Sequence, residues 1–259
     1  MIKPILFNTQ MVAAIVDGKK TVTRRIAKEL CDDEIVKVIP PDGTPGKHGI
    51  NVYRGILPDR GDGNTYCVEA PPPFAVGDIL YVRETFARGR IEITDEPDGY
   101  PGQYYISQCL GENDIIFKEA AIRHDFGMDD VVWTPSIHMP KWAARLFLRV
   151  KSVKLYHLND MTEEDAIAEG FEDRKAGEDS PLERFSALWD TTIKPVEIDR
   201  FGWYANPWVW AVEFERTEEP DGWRDLAPTN GKPSDVIITP DWLLNPEEEV
   251  LISGNVQSE

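Results

Sequence analysis

The run Asp17-Gly18-Lys19-Lys20-Thr21-Val22-Thr23-Arg24-Arg25 holds the residue types in this sequence that best suit chemistry on a small ligand. In one reading Lys20 and Thr23 face a pocket, and Arg24 or Arg25 receives an anion or a carbonyl oxygen. Lys20 is flanked by Lys19, Arg24 and Arg25, and like charges favour its neutral, base-competent form. The competing reading is a helix stop followed by a solvated basic strand edge, where charge discourages aggregation. Geometry restrains the first reading, because an offset of three puts Lys20 and Thr23 on opposite faces of a straight strand. They converge only if the chain is still turning at Lys20, which Gly18 permits.

Other candidates are fewer. Arg83 and Glu84 end a buried strand, as a structural ion pair or as a pocket wall; in the second case Arg83 joins Arg24 and Arg25 as a substrate-binding candidate. The alternating Trp208 and Trp210 fill a core or, less commonly, stack a base. There is no GxGxxG, phosphate loop, GxSxG elbow or HExxH, and His48, His124, His138 and His157 never fall at ligand spacing. No metal and no cofactor is therefore implied.

The elements that must position these residues are partly readable. Thr9 is placed to cap a short helix striped by Met11, Val12, Ile15 and Val16 and stopped by Gly18. Val76 to Val82 reads as a turn running into a buried strand, and residues 31–73 and 87–132 as irregular insertions, the second with strand-like pieces at Tyr104–Ile106 and Ala120–Ile122. Leu146 to Leu155 is strand-like, and Thr162 opens a short helix ending at Gly170, with Asp165 third in line. Ser180-Pro181-Leu182-Glu183 is a capping box with Pro at the first helical position, and Trp208 to Phe214 alternates as a strand. Strands without a βαβ rhythm predict an α+β domain over 1–216, built on a small barrel, and an acidic tail over 217–259.

The chain has 28 Lys plus Arg against 46 Asp plus Glu, a net charge of −18. The charge is uneven: residues 1–28 carry six bases against Asp17, whereas 217–259 carry ten acids against Arg224 and Lys232. A chain this acidic is repelled by duplex DNA, so none is expected as a partner. No apolar run approaches the roughly 18 residues of a membrane span. Cys31, Cys67 and Cys109 are far apart and never in CxxC spacing, which fits a reducing, cytoplasmic setting.

Five segments, Ile15–Arg25, Val76–Val82, Leu146–Leu158, Met161–Gly170 and Trp208–Phe214, resemble in order the ASCH domain, a branch of the PUA-like barrel superfamily. The likeness is nearest to larger ASCH proteins of phages and prophages, where starts like Lys3-Pro4-Ile5-Leu6-Phe7-Asn8-Thr9 and stretches like Val82-Arg83-Glu84-Thr85 and Pro135-Ser136-Ile137-His138-Met139-Pro140 are typical. It covers about half the chain. Small ASCH enzymes of this pattern hydrolyse N(4)-acetylcytidine, and the resemblance then implies Thr23 as nucleophile, Lys20 as proton acceptor and Glu169 as proton donor. Glu169 falls in the last turn of its predicted helix, where the negative helix end disfavours a carboxylate. Arg24 stands where those enzymes have an apolar residue, and would add a phosphate contact favouring nucleotides. The implied partner is a nucleoside, a nucleotide or single-stranded RNA. The alternatives are a non-catalytic RNA-binding module using Lys19, Lys20, Arg24, Arg25, Lys141, Arg145 and Arg149, a ribonuclease, and a phage protein whose acidic tail engages a host factor.

Overall fold

The computed structural model describes residues 1–31, 37–39, 53–57, 67–93, 104–108, 115–129, 131–172, 177 and 179–226. In chain order the elements are β1 (Ile2–Leu6), α1 (Thr9–Val16), β2 (Val22–Ile26), β3 (Lys37–Ile39), β4 (Tyr53–Ile56), β5 (Cys67–Ala70), β6 (Ile79–Arg83), β7 (Phe86–Arg88), β8 (Arg90–Ile93), β9 (Tyr104–Ser107), β10 (Ile115–Phe117), α2 (Lys118–Arg123), β11 (Phe147–His157), α3 (Glu163–Ala168), α4 (Pro181–Thr192), α5 (Ile198–Phe201) and β12 (Trp208–Thr217). The chain is thus a mixed α and β protein with several small sheets. It falls into two compact units, one of Met1–Lys3, Ala14–Leu80 and Leu148–Thr217, the other of Pro4–Ala13, Tyr81–Phe147 and Glu218–Glu259. Among the described residues no helix is long and apolar enough to cross a membrane.

A five-stranded sheet has the order β1-β6-β11-β12-β2, and its strands β12, β2 and nearly all of β11 lie in the first unit. Its first and last strands do not pair, so among the described residues the sheet stays open and the expected small barrel does not close. Closure needs strand tilt and stagger that bring the two edges into register. Here the chain passes from edge strand β1 to edge strand β2 through helix α1 instead of a hairpin.

Strand β2 runs antiparallel to β12, with Arg25 opposite Trp210, Arg24 opposite Ala211 and Thr23 opposite Val212. Opposed residues share a face. One face therefore carries Thr23, Arg25, Trp210 and Val212, and the other carries Arg24, Ile26, Val209 and Ala211. On the second face Val209 packs with Leu158, Met161, Ala166, Phe185 and Trp189 from the α3–α4 region. On the first, Trp210 is 3 % exposed and meets Tyr53 edge-on at 5.2 Å. Trp208 lies 3.9 Å from the His157 ring. Both indoles are packed against other rings.

Local sequence signals explain the helices. Thr162 and Asp165 form a complete capping box at α3, and Ser180 and Glu183 form one at α4, with Pro181 at its start. At α1 the Asn8 carboxamide accepts from the Met11 N–H at 2.8 Å, so Asn8 and not Thr9 is the cap. The predicted turn before β6 is present: Gly77 has φ +86°, and buried Asp78 takes the Ala75 N–H at 2.9 Å and the Lys3 ammonium at 2.8 Å. Within the 31–73 stretch, read as irregular, the described pieces 37–39, 53–56 and 67–70 form the antiparallel sheet β3-β4-β5.

The second unit contains the ribbons β7–β10 and β8–β9 and its own small core of Ile106, Ile116, Ala121 and Phe126. Residues 120–122 are helical, not strand-like as expected. Buried Ala120 and Ala121 suit a helix interior, and Glu119 pairs with Arg123 one turn on at 2.6 Å. Glu84 does not use its neighbour Arg83; the Arg145 guanidinium takes it with two hydrogen bonds, of 2.9 and 2.8 Å, and holds Glu119 at 2.8 Å.

Residues 218–226 were expected to be a loose start of the tail. Instead Trp223 is 2 % exposed, 5.1 Å from both the Tyr81 and Phe147 rings, and capped by the Lys141 ammonium at 4.8 Å. Its neighbours are too acidic to reveal such an anchor in sequence. Trp223→Ala is expected to lower the stability of this unit by about 3–5 kcal/mol, as a buried indole truncation does; an unchanged urea midpoint would show the anchor to be idle. The rest of the tail, 227–259, lies outside the described residues.

Candidate functional site

The site begins with a turn. Gly18, at φ +70°, ends α1 and lets the amides of Lys19 and Lys20 both reach the Ala14 carbonyl, at 2.8 and 2.9 Å. Lys20 is therefore not yet in β2. It forms an isolated antiparallel bridge with Glu169, and the next amide, Thr21, donates to the Ala168 carbonyl at 2.8 Å. Thus the end of α1 and the end of α3 are tied together at Lys20. Gly170 makes the approach possible: its φ is +103°, and a Cβ there would lie 2.8 Å from that of Ala14 and 3.2 Å from that of Lys20.

Burial then forces the charges to pair. The Lys20 side chain has 0 % exposure and the Glu169 side chain 4 %. The Lys20 ammonium donates to the Glu169 carboxylate oxygen Oε2 and, at 2.9 Å, to the Glu169 backbone carbonyl. A cation on the last carbonyl of a helix also meets its negative end. The Arg24 guanidinium, with 1 % exposure, holds the other carboxylate oxygen of Glu169 at 3.0 Å and Asp165 at 2.9 Å. The Tyr156 and Phe185 rings lie 5.5 and 5.9 Å from it.

The electrostatics follow from these distances. Burial lowers the proton affinity of Lys20 below its ordinary value; Glu169 pulls it up, and Arg25 and Arg24 push it further down. Burial also works against the Arg24 charge, but Glu169, Tyr156 and Asp165 outweigh it and leave the guanidinium above its ordinary value. Arg25 is drawn below its ordinary value by burial, with Glu169 opposing. The Tyr156 phenol is pushed up to about 12, burial being the main cause.

The expected trio is thus brought together in part. Lys20 and Glu169 meet, and Arg24 joins them. Thr23 is buried, but alternation along β2 turns it to the face opposite Arg24, and it has no part in the ion pairs. Arg24 is buried in ion pairs with Glu169 and Asp165. Arg83 belongs to the second unit and donates to the Ile137 carbonyl. Sequence reasoning missed Asp165, whose only signal was its place in the capping box, and Tyr156, which carried none.

Within the basic set expected to hold RNA, three members are buried. Lys20 and Arg24 are buried in ion pairs, and so is Arg145, at 2 % exposure. Lys19 stays near the surface but pairs with Glu172 at 2.8 Å.

A cleft of about 370 Å³ opens beside the turn, lined by Gly18, Lys20, Thr21, Lys151, Phe214 and Arg216, with Ile15, Glu213 and Glu215 completing it. Its volume falls in the range of small-molecule sites. Three bases, Lys20, Lys151 and Arg216, and two acids, Glu213 and Glu215, line it, with Lys20 already paired to Glu169 and Lys151 to Glu215 at 3.3 Å. No family model matches the sequence, no curated protein matches it, and no solved structure matches it.

Proposed function

We propose that this chain is an ASCH-type, PUA-like protein that binds a nucleobase or nucleoside in the cleft at Lys20 and hydrolyses an N-acylated cytidine there. The observation that carries the reading is the contact between the Lys20 ammonium and the Glu169 carboxylate, two residues 149 positions apart, at a cleft of nucleoside size. Amide hydrolysis needs a hydroxyl to attack the acyl carbon, a base for the hydroxyl proton, and an acid for the leaving amine. Lys20 takes the first proton and Glu169 relays one to the exocyclic nitrogen as the C–N bond breaks. Thr23 is the nucleophile by resemblance, forming an acyl ester that water then hydrolyses to the acid. Because the Lys20 side chain has no exposed surface, substrate binding must open the ion pair before the amine can act. The ion-paired Lys20 and Lys151 and the buried Arg24 favour an uncharged nucleoside over its monophosphate.

The test is incubation with N(4)-acetylcytidine and its 5′-monophosphate, followed by chromatography for the deacetylated products. Cytidine formation that is lost in Lys20→Met, Glu169→Gln and Thr23→Val supports the mechanism. Activity that survives Thr23→Val but not Lys20→Met leaves water as the nucleophile.

A second reading, a binding module without chemistry, is favoured by one observation: the Lys20 ammonium is already satisfied by both the carboxylate and the carbonyl of Glu169. In that case an acylated cytidine binds without turnover, and its affinity hardly changes with salt, as expected of an uncharged ligand.

A further inference from the structure

Asp165 and Glu169 stand one turn apart on the α3 segment, so their carboxylates share a face. Arg24 reaches that face from β2 with both terminal nitrogens, Nη1 on Glu169 at 3.0 Å and Nη2 on Asp165 at 2.9 Å. Asp165 is itself held, its second oxygen taking the Thr162 N–H at 3.1 Å within the capping box. The order of restraint therefore runs from the capping box to Asp165, from Asp165 to Arg24, and from Arg24 to Glu169. With Oε1 of Glu169 occupied by Arg24, Oε2 is the oxygen left to Lys20.

Two buried cations then share one buried carboxylate, and only one of them can be neutralised. A guanidinium does not lose its proton in proteins, whereas an ammonium does so readily when buried. We propose that Arg24 is the positioning residue of the Lys20–Glu169 pair: it fixes the carboxylate that faces Lys20 and, as the second buried cation on that carboxylate, makes Lys20 the proton-yielding member. The other charged groups about Lys20 are Arg25 on β2, Asp165 beyond Arg24 on α3, Tyr156 and Lys151 on β11, and Glu213, Glu215 and Arg216 on β12. Arg24 is buried at 1 % exposure and bonded at 3.0 Å to the carboxylate that Lys20 uses.

This inference rests on the reading of Lys20 and Glu169 as the working pair, but its test does not need turnover. Protein carrying ¹³Cε-labelled lysine is titrated by NMR, with Lys20→Met assigning the Lys20 resonance. In wild type the Lys20 midpoint is expected below that of ordinary lysine. Arg24→Met removes the competing cation and is expected to raise the midpoint by about one to two pH units. Arg24→Lys keeps the charge and is expected to stay near wild type. Asp165→Asn, should Arg24→Met fail to fold, removes an attraction and is expected to move the midpoint the other way. A wild-type midpoint at or above ordinary lysine overturns the proposal, as does a folded Arg24→Met with an unchanged midpoint. Absence of hydrolysis counts against the proposed function only. Where hydrolysis is found, the rising limb of its pH profile is expected to move with the Lys20 midpoint in each variant.

Discussion

Glu169→Gln is expected to destabilise the first unit by about 3–5 kcal/mol, the cost of breaking a buried ion pair from one side. Gln keeps the shape and the hydrogen-bonding oxygen, so the loss reports charge and not a cavity. It leaves the Lys20 ammonium, with 0 % side-chain exposure, and the Arg24 guanidinium, with 1 %, facing a neutral amide. Arg24 still has Asp165 at 2.9 Å, so Lys20 is the group left worst off. Adding Lys20→Met to Glu169→Gln should therefore restore part of the loss, because a buried thioether needs no partner. Urea denaturation of the three variants measures this. A single-variant loss below about 1 kcal/mol would place the pair in the weak class typical of exposed ion pairs and contradict its burial.

Arg145→Met is expected to have a comparable effect in the second unit, again about 3–5 kcal/mol. Its guanidinium holds Glu84 at 2.8 Å and Glu119 at 2.8 Å, and the three side chains are 1–3 % exposed. Glu119 keeps Arg123 at 2.6 Å, whereas Glu84 is left with its charge unmatched. Phe117, whose ring lies 4.5 Å from the guanidinium, loses a cation as well. Arg145→Lys should recover little, since a point charge does not reproduce the two parallel bonds to Glu84. Adding Glu84→Gln to Arg145→Met should recover more. Thermal unfolding of the series decides it: equal midpoints for Arg145→Met and wild type would mean that the carboxylates find other partners.

How much of this was written in the residues varies with how local the cause is. Both capping boxes were legible, since Thr162 with Asp165 and Ser180 with Glu183 satisfy amides within one turn of themselves. The Gly18 turn was legible for the same reason: Lys20 is still in the turn and precedes β2, which begins at Val22, although Thr23 is not brought to the Lys20–Glu169 contact. Composition misled where pairing is distant. The Gly- and Pro-rich 31–73 stretch still supplies three strands, and Ala120–Ile122 belongs to a helix whose alanines are buried by their neighbours. Trp223 reads as part of an acidic tail until Tyr81 and Phe147 are seen around it.

Residue types and short spacings set the caps, the turns, the acidic balance and the basic run around Lys20, whereas Glu169 was singled out by the resemblance alone. The tertiary structure alone shows that Arg24 is buried against Glu169 and Asp165 and that Glu84 takes Arg145 in place of Arg83. Charge partners across more than a hundred residues are set by which strand lies beside which helix. A basic run carries the same letters whether it meets solvent or a buried carboxylate.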